Sequence, residues 1–157
     1  MSSSKAGDEF AHALAAALRY TRAGVRSTQE VLNYLHRRGV APRLARRVIG
    51  EARARGVLDD HACARLWAEH WARRGYAWSA IRLRLCAKGL DEDAIEQAAN
   101  QQERASDDDA RARLVVARQR RHGAGPRQRS RLARTLTARG FDTDLIQQVL
   151  DESFSPE

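Results

Sequence analysis

The stretch LCAKGLDEDAIEQA, Leu85 to Ala98, decides the fold because the chain repeats its pattern twice more. LHRRGVAPRLARRV runs from Leu35 to Val48, and LTARGFDTDLIQQV from Leu136 to Val149. The frame is an apolar residue, Leu four later, Gly four after that, and an apolar residue next. It reads Val31-Leu35-Gly39-Val40, then Ile81-Leu85-Gly89-Leu90, then Leu132-Leu136-Gly140-Phe141. A Gly just past a helix adopts the left-handed conformation that a Cβ penalises. In a Schellman ending the next residue packs back on the residue four before the Gly. The pairs would be Leu35 with Val40, Leu85 with Leu90 and Leu136 with Phe141, all apolar. A new helix follows at once. Asp91 and Asp142 stand where an N-cap belongs, with acidic residues behind them to favour the helix dipole. In the first copy the slot holds Ala41, with Pro42 at the first helical position. Each phrase is therefore the turn of a helix–turn–helix pair.

A preceding helix completes each unit. Residues 8–22 place Phe10, Leu14, Ala17 and Leu18 on one face. Residues 60–73 do so with Cys63, Leu66, Trp67, His70 and Trp71, and residues 107–121 with Leu114, Val115 and Ala117. Asp60 and Ser106 have the character of N-caps. Ser106 with Asp109, and Ser27 with Glu30, have capping-box spacing. Trp78 precedes the expected N-cap Ser79 and faces Leu83 at the hydrophobic-staple spacing. Trp78 is also a candidate aromatic contact for a nucleic-acid base. The expectation is an all-α chain of nine helices in three tandem units, residues 8–56, 57–103 and 104–153, with flexible ends at 1–7 and 154–157. A unit of roughly 50 residues is near the lower limit for a self-sufficient core. Stacking should supply the missing burial and give an elongated, bowed molecule with a concave side.

Composition agrees with helices: of 157 residues, three are proline and ten glycine, and 43% are hydrophobic. No run of 18 apolar residues exists, which argues against a transmembrane helix. AHALAAAL near the start is too short for a signal peptide and lacks a cleavage site. Cys63 and Cys86 form no CxxC pair; placed on apolar helical faces, they fit a reducing cytosol and a cytoplasmic protein. The net charge is +8, and 26 of the 28 basic residues are arginine. Residues 1–60 hold 11 basic and 6 acidic residues, residues 61–100 hold 6 and 5, and residues 101–157 hold 11 and 9. A basic first third suits a polyanionic partner.

Converging catalytic chemistry is missing from the pattern. His12, His36, His61, His70 and His122 include no HExxH and no partner Cys pair. His61 and Cys63, two apart on a helix, point away from each other. GAGP at Gly123–Pro126 is an interhelical loop and not a phosphate cradle. Asp107–Asp109 is explained by dipole complementarity at a helix start. The reading is of a non-enzyme with no cofactor and no metal.

Three-helix units invite comparison with helix-turn-helix DNA binders. Only PRLARRVIGEARAR suits phosphate, through Arg43, Arg46, Arg47 and Arg53, with Arg55 beyond them. DEDAIEQA and DTDLIQQVLDE are acidic or neutral. The basic helix has no Asn or Gln to read bases, so backbone contact independent of sequence is expected. From about Leu18 to Leu150 the chain resembles the RecX family of bacterial recombination regulators. The resemblance rests on Ser27-Thr-Gln-Glu30-Val31, the phrase Gly56–Asp60, Lys88-Gly89-Leu90 and Arg139-Gly140-Phe141. Arg84 stands where the family usually has Glu, and Tyr76-Ala77-Trp78 replaces a glycine-rich entry. The resemblance implies a protein that binds RecA and the RecA–DNA filament and mainly inhibits strand exchange and ATP hydrolysis; a monomer without membrane association is expected. A small basic helical protein that binds nucleic acid without RecA is the competing reading.

Overall fold

Residues 2–120 and 125–154 are described in the computed structural model, with side chains from Lys5 onward, and they contain nine α-helices and no strand. The first unit is α1 (Ser2–Arg22), α2 (Thr28–Arg37) and α3 (Pro42–Ala54). The second is α4 (Asp60–Arg73), α5 (Trp78–Ala87) and α6 (Glu92–Ala105). The third is α7 (Asp108–Arg120), α8 (Pro126–Ala138) and α9 (Thr143–Phe154). Every substantial helix pairing is made inside a unit. Three separate cores result. Leu14, Val31, Leu35 and Val48 anchor the first, Ala64, Ile81, Leu85 and Ile95 the second, and Val116, Leu132, Leu136 and Val149 the third.

The repeated phrase closes its helices as its spacing predicts. Gly39, Gly89 and Gly140 have φ of 77°, 73° and 84°. The N–H of the next residue returns to the leucine carbonyl: Val40 to Leu35 at 3.1 Å, Leu90 to Leu85 at 3.4 Å and Phe141 to Leu136 at 3.2 Å. Ser27 and Glu30 form the expected capping box, and Asp91 caps α6 by accepting from Ala94 N at 2.9 Å.

Other expectations are corrected. Residues 2–7 are helical, because α1 begins at Ser2. The N-cap of α4 is Asp59, which accepts from Ala62 N at 3.0 Å, and not Asp60. Asp107 and not Ser106 caps α7, accepting from Ala110 N at 2.8 Å, and Ser106 instead ends α6. Ala77 is the N-cap of α5, so Trp78 and Ser79 lie within the helix. Leu83 is 71% exposed and forms no staple with Trp78, which is half-buried against the second core. Leu66 and Leu114 are also exposed, as is Ala117. Small residues take their place: Ala64 and Ala68 line the buried face of α4, and Ala112, Val115 and Val116 that of α7. Cys63 is buried, but Cys86 is exposed, one position beyond the buried Ile81–Leu85 edge of α5. Of the loop GAGP, Gly123 and Ala124 lie outside the described residues, as do His122 and, of the end expected to be flexible at 154–157, Ser155 to Glu157; Phe154 closes α9.

The displaced caps free two aspartates to join the units. Asp60, at the first position of α4, accepts from Thr28 N at 2.8 Å. Asp108, at the first position of α7, accepts from Trp78 N at 2.9 Å. In both cases the donor is the first amide of the preceding unit's middle helix, an orphan that every helix start must satisfy. A serine hydroxyl adds a second bond: Ser27 Oγ donates to Lys88 O, and Ser79 Oγ donates to Gly140 O at 2.7 Å. Gly89 and Gly140 seat the same helix starts. A Cβ at Gly89 would stand 2.5 Å from Gln29 Cβ, and one at Gly140 2.7 Å from Ala80 Cβ. The two joints share the aspartate–amide bond and the close glycine, while the serine bond comes from the N-cap in the first and from the second helical residue in the second. Three cores in series leave much surface uncovered. The accessible area is 10020 Å², where a compact 17.6 kDa monomer would expose roughly 7,900 Å².

Candidate polyanion-binding surface

Pro42 starts α3 at the position where its missing N–H is harmless, and Ala45, Val48, Ile49 and Ala52 turn one face of that helix into the first core. The opposite face is left to arginine. Arg43, Arg46, Arg47 and Arg53 are all exposed. Arg43 and Arg47 border a shallow cavity beside Glu9 and Leu44, and the Arg47 guanidinium lies 5.0 Å from the centroid of Phe10. Arg53 turns toward the first joint, donating to Thr28 Oγ1 at 3.4 Å. Arg46 is exposed, with no ion pair among the described residues. Spacings of three, four and seven put these side chains along one helical stripe.

What separates this unit from the others is how few of its arginines are ion-paired among the described residues. Among the described residues, Arg55–Glu51 is the one ion pair inside the first unit. The later units neutralise several arginines. Arg82 pairs with Glu92 at 2.6 Å, Arg129 with Asp151 at 2.6 Å, and Arg113 with both Asp109 and Glu152. Hydrogen bonds to Glu152 and Asp109 hold the Arg113 guanidinium well above its ordinary pKa. The bond from Arg113 correspondingly lowers Glu152 and Asp109. Arg111 is buried at 4% exposure and bound to Asp108 and to the Ser106 carbonyl.

A second basic face was hidden by averaging charge over residues 101–157. From Ala110 to Phe141 the chain has ten arginines and no acidic residue. On α8, Leu132 and Leu136 point into the third core, while Arg127, Arg131 and Arg134 are exposed and have no ion-pair partner among the described residues. Most of the acidic residues that balanced the count sit at the starts of α7 and α9 and at the end of α9. Counting charge in windows the length of one helix would have found this stripe.

Trp78, the candidate aromatic contact, is half-buried at the start of α5. Its backbone serves the second joint and its ring packs on the second core. The aromatic cluster lies nearby: Trp71 meets Tyr76 edge-on at 5.3 Å, and Arg84 lies 4.8 Å from the Trp71 centroid and 4.3 Å from that of Tyr76. Arg84, where an acidic residue was the family expectation, therefore spends its charge on aromatic faces. Burial pushes the Cys63 thiol up to about 11, which leaves it a small hydrophobe. Among the described residues no group of three His, Cys, Asp or Glu is placed to hold a metal, and no helix is long and apolar enough to cross a membrane.

An elongated series of three-helix units with bare arginine on two helices defines a class of helical repeat proteins that presents charged surface. Residues 59–98, the heart of the second unit, match the RecX second three-helix domain. Over 154 residues, 96% of this chain and 83% of the other, the sequence is 27% identical to Regulatory protein RecX of Thermobifida fusca. Over 83 residues it is 36% identical to Regulatory protein RecX of Lactobacillus delbrueckii subsp. bulgaricus; this match takes in 52% of the chain but only 31% of that longer relative. The crystal structure of RecX from Lactobacillus salivarius shares the fold, with a TM-score of 0.75 at 18% identity over 93% of this chain and 97% of that one. A second crystal structure, of a regulatory protein RecX, gives a TM-score of 0.72 at 20% identity over 94% and 74%. In sequence and in fold the chain is thus similar to RecX proteins.

Proposed function

We propose that this protein is a cytoplasmic regulator that binds RecA and its DNA filament as a monomer and restrains ATP hydrolysis and strand exchange, without catalysis of its own. The observation that carries this reading is the uncompensated arginine stripe of α3 on an elongated stack whose later units balance much of their charge. A filament groove offers DNA phosphate and protein side chains together, and a stack with one bare basic face suits both. Such association is steered by charge and weakened by salt. In the test, RecA–single-stranded-DNA ATPase is titrated with the protein and with the variant Arg43→Ala/Arg46→Ala/Arg47→Ala/Arg53→Ala. The variant should inhibit with apparent affinity reduced at least about tenfold at moderate salt, while helicity and thermal unfolding are retained. Equal inhibition by the folded variant would remove α3 from the contact.

The exposed arginines of α8 favour a second reading, direct binding of nucleic acid without RecA. Mobility shifts on bare DNA across a salt series separate the two readings. Tight binding to bare DNA that gains nothing from RecA would select the second.

A further inference from the structure

Both internal joints receive the first turn of a helix, and the first unit carries the same receiving face with nothing on it. The equivalence follows from register. Asp60, Ala64 and Ala68 on α4 correspond to Asp108, Ala112 and Val116 on α7, an acid followed at four and eight residues by buried small side chains. On α1 the same register gives Glu9, Ala13 and Ala17, with Ala13 5% and Ala17 0% exposed. Gly39 corresponds to Gly89 and Gly140, with the same left-handed φ. Where those two glycines are tight against a helix start, a Cβ at Gly39 would meet no atom within 4 Å. Glu9 and Gly39 instead line an open cavity of about 650 Å³, with Asp8, His12, Val40 and Leu44. α1 runs seven residues beyond Glu9 toward the N-terminus, so Asp8 stands on a taller wall than either internal joint has.

We propose that this face is a docking site for the N-terminal turn of a helix from another protein, one with a hydroxyl at its N-cap and a free N–H at its first position. Glu9 would accept that N–H as Asp60 and Asp108 do, and the Arg38 carbonyl would accept the hydroxyl as the Lys88 carbonyl does from Ser27, the N-cap of α2. A second copy of this chain does not fit. Its own free middle helix, α8, starts with Gly125 at the N-cap and Pro126 at the first position, so it offers neither the hydroxyl nor the N–H.

The inference is independent of RecA and is tested without it. The probe is a labelled peptide of residues 25–38 of this chain, stapled between positions 33 and 37 to hold it helical. Its first turn is the one that fills the first joint. Fluorescence anisotropy with the full-length protein should show saturable binding. Glu9→Gln should weaken it about tenfold, whereas Glu9→Asp, which restores the acid of the other joints, should retain it. Because Glu9 lies outside the internal joints, loss in Glu9→Gln also rules out invasion of the first joint by the peptide. A peptide carrying Thr28→Pro keeps the charge and loses the amide, and should bind as weakly as wild-type peptide binds Glu9→Gln. Absence of saturation, or equal binding of the Thr28→Pro peptide, would overturn the proposal. So would Glu9-dependent dimerisation in sedimentation, which would make the occupant a second copy.

Discussion

At the scale of the residue, the conserved geometry of one glycine position hides two different demands. Gly39 and Gly89 share a left-handed backbone, which costs a side chain about 1–2 kcal/mol. Gly89 alone also sits against Gln29, close enough that an added Cβ would displace Gln29 Cβ and Cγ. Gly39→Ala should therefore lose about 1 kcal/mol in urea denaturation, and Gly89→Ala clearly more, because overpacking adds about 1–3 kcal/mol. Equal losses would show that the Gln29 contact yields freely. The backbone demand was legible in sequence, since a helix period ending in Gly before an apolar residue has one good structural solution. The contact demand was not, because Gln29 and Gly89 are brought together only when two units stack.

Among the elements, the period of each helix was readable but the choice of buried face was less so. Leu66, Leu83 and Leu114 suggested core and are exposed, while alanines next to them are buried. In a three-helix unit this small, close helix approach favours small side chains at the contacts, and α4 meets α6 through Ala64, Ala68, Ala94 and Ala98. Cap positions misled for a related reason. Asp59 and Asp60 are equivalent in local propensity, and only the partner Thr28 N shows which of them looks outward. The two thiols report these assignments directly. A disulfide reagent at mildly alkaline pH should modify Cys86 in the folded protein and Cys63 only after unfolding, since burial raises the Cys63 thiol to about 11. Rapid modification of both in the native protein would contradict the packing of α4. The α8 arginines were in plain view in the sequence but cancelled on paper by acids that the fold places on other helices.

For the whole molecule, stability of shape rests on the joints. In the first of them Lys88 Nζ bonds Glu30 Oε1 at 2.9 Å while Glu30 also receives Ser27 N at 2.8 Å. Burial tends to raise the Glu30 carboxyl, but the Ser27 N–H and the Lys88 ammonium outweigh it and leave its pKa below the ordinary value. A depressed carboxylate stabilises the folded arrangement above its unfolded pKa, and that contribution fades as pH falls through the folded value. Acidification through the carboxylate range should therefore increase the radius of gyration in X-ray scattering before helicity is lost. Glu30→Gln should show a wider radius already at neutral pH and a smaller further change on acidification. Simultaneous loss of helicity and shape would mean that the units and the joint unfold as one. That three units would stack was legible from the repeat. The bonds that stack them were not, because they link amides, carbonyls and single side chains far apart in sequence.

The separation of the three cores has a mechanical consequence. Each unit is a stiff link, and what connects it to the next is a patch of a few hydrogen bonds around one helix start. The softest deformation of such a molecule is a pivot at either joint, which disturbs few buried side chains beyond Ser27 at the first joint and Ala77 at the second. A linkage of this kind can follow a track whose pitch changes underneath it, taking up the difference as a change of angle between links.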